Sequence, residues 1–488
     1  MLLRLEGEGP LYVRISRALR VEILSGRLAR GARLPSTRAL AGELGVSRNI
    51  VLLAYEQLLA EGYATARRGS GTVVALGVPD ERASNARVPE RRGRRSRPVR
   101  LSAYARRILG GPSASAVGWA PAGARLPYDF RYGRPSFGDF PFTTWTRLLA
   151  RRARRATIRD LDYGRPEGLA ALRERIADYL RRARGVRCEP EQVVIVDGTQ
   201  QALDLAARVL VGPGDRVLLE EPHYRPARIA FAAAGARTDV IPVDEHGMRV
   251  DRLPAGTGRH RLAFVTPSHQ FPTGAVMPLA RRIELLAWAD RAGALVFEDD
   301  YDSEFRYGGA PVQALQGLDR AGRVIYTGTF SKVMFPALRL GYMVLPGSIR
   351  VAFVTAKAFA DTGSPTLYQS ALADFMEEGH FERHLRRSRA RNAARRESLL
   401  DAIGRHLGES VEISGANAGL HVLLWLRGVP AGRVDAIRRK AAGLGVGVYP
   451  VAPFYLKPPR RAGLILGYAS LTEEEIRAGV ERLAGAIE

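Results

Sequence analysis

Lysine is almost absent from this chain: of 74 Lys and Arg side chains, only Lys332, Lys357, Lys440 and Lys457 are lysine. Lys332 stands in YTGTFSK, directly after a β-branched run that reads as a strand and just before PALRLGY. Arginine cannot condense with an aldehyde, whereas a partly desolvated lysine can lose its proton and form an imine. A composition that favours arginine elsewhere and keeps lysine here marks Lys332 as a Schiff-base candidate and the catalytic residue of any such site.

The other parts of a pyridoxal-phosphate site can be found around it. EDDYDSEF ends a hydrophobic run and offers Asp299, a carboxylate able to keep a pyridine nitrogen protonated and the ring an electron sink. Tyr301, two residues on, can hydrogen-bond the ring's phenolic oxygen. VDGTQQALDLAARVL passes from strand to helix through Gly198, Thr199 and Gln200, whose amides open the helix and would meet a phosphate. Thr329, Ser331 and Arg339 can complete the phosphate cup, and Tyr224 in EEPHYRPA can lie flat against the ring. Each has an ordinary alternative, since a strand-end Asp often caps a helix and GTQ often just starts one. Together and in this order, they point to one site.

Elements must bring these residues together. β-branched runs at 193–196, 216–220, 262–266, 294–299 and 323–328 alternate with helical stretches, which predicts a mostly parallel sheet covered by helices. Strand ends facing one crevice are where open α/β sheets place ligands. After about residue 375, charged helices, a strand-like stretch and GLILGYA at 463–469 predict a smaller α+β lobe.

In this order the motifs resemble fold-type I aminotransferases across residues 125–488. One departure stands out: where those enzymes usually carry Asn before PTG, this chain has His269, Gln270 and Phe271 before Pro272. The customary amide contact to the ring oxygen is thereby in question, and His269 is expected near the cofactor instead. GLILGYAS also lacks the arginine that clamps a substrate carboxylate, leaving Arg225, Arg228, Arg460 and Arg461 as candidates.

The N-terminal residues read differently. Helices are predicted over 11–24, with Ile15, Leu19 and Ile23 on one face, and over 37–44, with Ser36 as N-cap. Gly45 tolerates positive φ, Val46 turns into the core, and Ser47 caps a third helix whose Ile50, Leu53, Ala54 and Leu58 are expected to face inward. Arg48 and Asn49 then fall in the exposed first turn, where a recognition helix meets base edges. YATARRGSGTVV reads as two strands around a turn, a wing with Arg67, Arg68 and Gly69 at its tip. GARLPSTRALAGELGVSRNIVLLAYEQLLAEGY resembles the GntR family of bacterial regulators, including LPS-x-R and GVSR. That resemblance implies that Arg38, Ser47, Arg48, Asn49, Arg68 and Gly69 contact double-stranded DNA, with Arg48 the best base reader.

Between the two lies an expected linker, 77–124, rich in Arg, Pro, Ser and Gly, in which RRGRRSRPVR at 91–100 is a tether or a DNA-contacting arm. Residues 1–107 carry 21 Arg against nine acidic side chains, so the net charge of +24 is concentrated at this end. The one cysteine, Cys188, excludes an intramolecular disulfide and reads as an inert core thiol, and no apolar run is long enough to span a bilayer. A soluble cytoplasmic protein is expected.

A GntR-type winged helix-turn-helix (8–76) joined to an aminotransferase-like unit (125–488) is the arrangement of the MocR regulators, and TPSHQFPTG, EDDYDSEFRY and GTFSK are similar to that branch. The resemblance implies an α/β multi-domain chain with a PLP-dependent transferase fold of large and small lobes. It also implies a head-to-tail homodimer that senses pyridoxal 5'-phosphate itself, or an amine or amino acid exchanging onto it. Genes for vitamin B6 synthesis, amino-acid or amine use, or taurine use fit such a regulator. The alternatives are a working aminotransferase that carries a DNA-binding domain, and a repressor whose second domain only dimerises.

Overall fold

The computed structural model describes residues 3, 5, 7–67, 71–78, 99–110, 126–255, 259–308 and 312–488. The chain divides into two compact units, Met1–Arg100 and Leu101–Glu488, a split that falls inside the expected linker.

In the first unit the helices are Leu11–Leu24, Thr37–Leu44 and Arg48–Ala60, followed by an antiparallel hairpin of Ala64–Arg67 and Gly71–Val74. Ser36 caps the second helix by accepting the Ala39 amide at 3.1 Å, and Gly45 ends it at φ 65°. Ile15, Leu19 and Ile23 meet Leu40, Ala54 and Leu58 in one core. Val46 packs against that core from its edge. Two expectations need correction. Leu53 is 47% exposed, and Val51 and Tyr55 are buried in its place, because the inner stripe runs 51, 54, 55, 58 and Leu53 lies about 100° off it. Ser47 occupies the N-cap position, yet its side chain makes no capping bond. The hairpin is tied to the preceding segment, Leu34 N donating to Thr72 O and Val74 N to Ala32 O, each at 2.9 Å.

The second unit is built on an eight-stranded sheet. Its spatial order is Val193–Val196, Gly341–Val344, Val324–Thr329, Leu295–Asp300, His260–Val265, Arg216–Glu221, Arg237–Asp244 and Gly247–Met248. The five strands from Val324–Thr329 to Arg237–Asp244 run parallel, while Gly341–Val344 and Gly247–Met248 run against their neighbours. Four of these parallel strands are buried along most of their length, as a sheet covered on both sides requires, and Arg237–Asp244, nearer the edge, is only partly buried. One side buries Leu203, Phe231 and Phe353 from helices Thr199–Leu210, Arg225–Ala234 and Gly347–Asp361; the other buries Leu285 and Trp288 from Leu279–Ala292. Cys188 is buried, and burial pushes its thiol up to about 11, which leaves it protonated and inert. The expected smaller lobe is present as a four-stranded antiparallel sheet, Val411–Ser414, His421–Pro430, Arg461–Gly467 and Tyr449–Pro450, packed against helices His380–His406 and Glu473–Ile487.

Part of the expected linker is ordered. Ser102 caps a helix Ala103–Leu109, which packs on Arg225–Ala234; Arg107 Nε donates to Ala233 O at 2.9 Å. Residues 91–98 of the arginine-rich motif lie outside the described residues. Among the described residues no helix is long and apolar enough to cross a membrane.

Candidate ligand cavity and DNA-reading surface

A cavity of about 290 Å³ opens where the carboxyl ends of the parallel strands meet the smaller lobe. Lys332 reaches it from the turn after Val324–Thr329. Phe330, Val333 and Met334 are buried around it and anchor that turn, which leaves Ser331 and Lys332 facing the opening. Its Nζ donates to Gly133 O at 2.8 Å, and burial lowers its ammonium's pKa although Asp302 and Asp299 oppose the shift. Gly133 has φ +72°, a left-handed conformation that favours glycine, and a Cβ there would stand 2.9 Å from Nζ and push the amine aside.

Asp299 is buried at the end of Leu295–Asp300 and also lines the cavity. Burial, then the neighbouring Asp300, pushes its carboxyl up to about 8, with Lys332 acting the other way. Its Oδ1 has no hydrogen-bond partner. Gly198, Thr199 and Gln200 open the helix Thr199–Leu210 onto the same space. Gly198 has φ 82°, and Gly341 passes so close that a Cβ on it would lie 3.0 Å from the Gly198 Cα. Arg339, itself left-handed at φ 52°, donates to Asp197 O beside that helix start. Thr329 and Ser331 line the wall between, with Thr329 Oγ1 accepting the Ser331 amide at 3.2 Å. Tyr224 stacks on Phe264 at a 6.4 Å centroid distance and lines the cavity.

Tyr301 lines the cavity and His269 does not: the imidazole sits behind the phenol, Nδ1 3.0 Å from Tyr301 Oη. In the same loop the Gln270 amide is used up internally, Nε2 donating to Pro222 O at 2.9 Å and Phe271 O at 2.8 Å. Phe271 supplies an apolar wall. No side-chain amide from this loop lines the cavity. None of the four carboxylate-clamp candidates lines the cavity: Arg225 is buried beside it, Arg228 half-buried, Arg460 exposed, and Arg461 paired with Glu412 at 2.9 Å.

Several lining residues carry no local sequence signal, among them Tyr132, Gly133, His421 and Phe454. Asp302 was visible in EDDYDSEF, but only the fold shows it bonded to His269, at 3.0 Å. His421 is pushed down to about 3 by burial and by His269, so it is neutral. Ligand atoms of His269, Asp302 and His421 lie within 4.8 Å of one another, yet the Asp302–His269 bond and the His421 Nε2 contact to Pro272 O occupy them.

On the first unit, Arg38, Ser47, Arg48 and Asn49 are all exposed, and Arg48 Nε donates to Thr37 Oγ1 at 3.3 Å, joining the starts of the second and third helices. Arg68 and Gly69 lie outside the described residues.

A helix-turn-helix unit with a winged hairpin, followed by an aminotransferase-type α/β unit with a lysine at its strand ends, defines a composite DNA-binding regulator. Residues 11–74 match the family described as bacterial regulatory proteins, gntR family, and residues 133–483 match aminotransferase class I and II. The chain is 40% identical to the probable rhizopine catabolism regulatory protein MocR of Rhizobium meliloti, covering 100% of this chain and 95% of that one. It is 34% identical to the HTH-type transcriptional regulator TauR of Rhodobacter capsulatus, covering 99% and 97%. The structure of LysN, an alpha-aminoadipate aminotransferase of Thermus thermophilus complexed with N-(5'-phosphopyridoxyl)-L-leucine, superposes with a TM-score of 0.71 at 33% identity, covering 79% of this chain and 97% of that one. The chain belongs to the MocR-type regulators of the GntR family.

Proposed function

We propose that the second unit holds pyridoxal phosphate through Lys332 and that occupancy of its cavity, by the cofactor or by an amine or amino acid reacting with it, alters binding of double-stranded DNA by the first unit. The observation that carries this reading is the unpartnered, buried Asp299 Oδ1 in the same cavity as a lysine that burial drives towards the neutral amine. A buried acceptor without a donor costs about 1–3 kcal/mol, and a pyridinium N–H is a donor that would relieve it. When bound, the cofactor supplies an aldehyde that condenses with the amine and a ring that draws electrons from it. Lys332 would be the amine, Asp299 the partner of the ring nitrogen, Tyr224 the stacking face and Tyr301 the donor to the ring's oxygen. The amides at Gly198, Thr199 and Gln200, with Thr329, Ser331 and Arg339, would hold the phosphate.

Arg38, Ser47, Arg48, Asn49, Arg68 and Gly69 would contact DNA, Arg48 reading bases. A homodimer, head to tail, is part of the same reading. Ile158, Leu161, Tyr163 and Phe359 are 77–90% exposed. Thr366 Oγ1 donates to Asp160 O at 3.3 Å, which ties the segment carrying the first three to the start of helix Thr366–Glu377, the element that follows the helix carrying Phe359. An apolar patch of this kind suits a second copy of the chain.

The test is linkage. DNA fragments selected by the protein are titrated with and without pyridoxal phosphate and with candidate amines, and cofactor affinity is measured with and without the DNA. The proposal predicts reciprocal changes of roughly 5–150-fold, the usual range of coupling between sites; equal affinities in both directions refute sensing. Sustained keto-acid production from an amine would instead favour a working aminotransferase.

A further inference from the structure

Tyr301 and Asp302 both line the cavity, and His269, buried behind them, joins the two. His269 Nδ1 lies 3.0 and 3.1 Å from the two Asp302 oxygens and 3.0 Å from Tyr301 Oη. One ring nitrogen cannot donate to the carboxylate and accept from the phenol at once, so the tautomer decides which way the phenol's proton points.

With the proton on Nε2, a bare Nδ1 lone pair would face the carboxylate, and the Nε2–H would be stranded, because Nε2 is buried with no partner. The ring cannot turn to escape. A Cβ at Gly419 would lie 2.1 Å from its Cε1, and one at Gly274 3.0 Å from Nε2, so backbone closes on it from both glycines. With the proton on Nδ1, both contacts are favourable: N–H donates to Asp302 and to the Tyr301 oxygen together. The phenol is then an acceptor on its inner side, and its own proton is left to point into the cavity.

We infer that His269, locked in one tautomer by Asp302, is a positioning residue that makes Tyr301 a hydrogen-bond donor into the cavity, aimed at an anionic oxygen of the bound ring. The inference rests on the cofactor reading above. It assigns a role to the motif's departure at 269–271. With the Gln270 amide spent on Pro222 O and Phe271 O and with Phe271 apolar, that loop offers the ring oxygen no side-chain donor, and Tyr301's polarity matters more for it.

The consequence is spectroscopic. A donor on the ring oxygen draws charge from it and weakens its hold on the protonated nitrogen joining Lys332 to the cofactor. Losing the donor therefore raises the pH at which the visible band switches. Asp299, Asp300 and Glu220 also act on Tyr301, Lys332 shares the cavity wall with it, and the neutral His421 packs 5.2 Å from the His269 ring, so the variants must leave those groups in place.

The experiment titrates the visible band of the cofactor-loaded protein for the parent, Tyr301→Phe, His269→Leu, His269→Asn and the Tyr301→Phe/His269→Leu double variant. Tyr301→Phe and His269→Leu are expected to raise the switch by about one pH unit, a tenfold change in proton affinity. His269→Asn, whose amide nitrogen replaces Nδ1 as donor, is expected to stay near the parent, and the double variant to add nothing to Tyr301→Phe. Should His269→Leu not fold, His269→Gln, which offers no donor at the Nδ1 position, replaces it. An unchanged switch in the variant lacking the donor, equal shifts in the Leu and Asn variants, or additive shifts in the double variant overturn the inference while leaving the cofactor reading standing. A parent with no band overturns that reading and the inference with it.

Discussion

Asp299 bears two penalties in the ligand-free protein, burial and the adjacent Asp300, which together raise its carboxyl to about 8. The folded chain then holds a proton that the unfolded chain has released, so this group's contribution is fully present in acid and is lost as pH rises through its folded value. Glu220 and Glu298, each raised to about 7 by burial, act in the same direction. The ligand-free protein is predicted to lose melting temperature progressively from about pH 4 to about pH 8, and Asp299→Asn to flatten the upper part of that slope. The same variant should weaken cofactor binding roughly tenfold or more, the loss of a charge-assisted bond of about 1.5–3 kcal/mol. An unaltered slope and affinity would remove Asp299 from the ring-nitrogen role. On the other unit, Arg48 stands exposed in the first turn of the third helix with Thr37 steadying its Nε. A bidentate base contact is worth about 1–3 kcal/mol of discrimination. Arg48→Ala is predicted to abolish specific protection in a footprinting assay, and full protection by the variant would remove Arg48 as base reader.

Among the elements, periodicity exposed most of what positions the site. The helices at Leu11–Leu24 and Thr37–Leu44 and five strands of the second unit, Val193–Val196, Arg216–Glu221, His260–Val265, Leu295–Asp300 and Val324–Thr329, follow from spacing and β-branching alone, whereas Arg237–Asp244 and Gly341–Val344 do not. Leu53 was misplaced because a pattern of apolar residues spaced three and four apart admits two neighbouring stripes, and only packing against Ile15 and Leu19 selects one. Tyr132 and Gly133 were invisible for a different reason: the Gly133 carbonyl that holds Lys332 lies 199 residues away in the chain, and no local pattern encodes that closure. The helix Ala103–Leu109 was read as linker because its arginines mask a weak apolar face, yet Tyr104 reaches Asp204 at 3.5 Å and Arg107 reaches Ala233 O. It thus touches the two helices whose N-terminal ends border the cavity. Arg107→Ala removes a bond of about 0.5–1.5 kcal/mol. The expected result is faster amide exchange across 103–109 with the sheet's exchange unchanged; equal protection in parent and variant would show that the arginine does not hold the helix down.

For the whole molecule, the arginine excess at the N-terminal end suits a phosphate-facing unit, and the second unit holds a site built for an aldehyde cofactor. Retention of Lys332, Asp299, Tyr301 and Arg339 together argues against a merely dimerising scaffold, which needs none of these chemistries. The most direct test is the visible absorbance spectrum of the purified protein with added pyridoxal phosphate, beside a Lys332→Ala variant, before and after borohydride. The account predicts a borohydride-sensitive band in the parent and none in the variant. A band of equal strength in both, or in neither, would contradict the assignment of Lys332 as the residue that holds the cofactor.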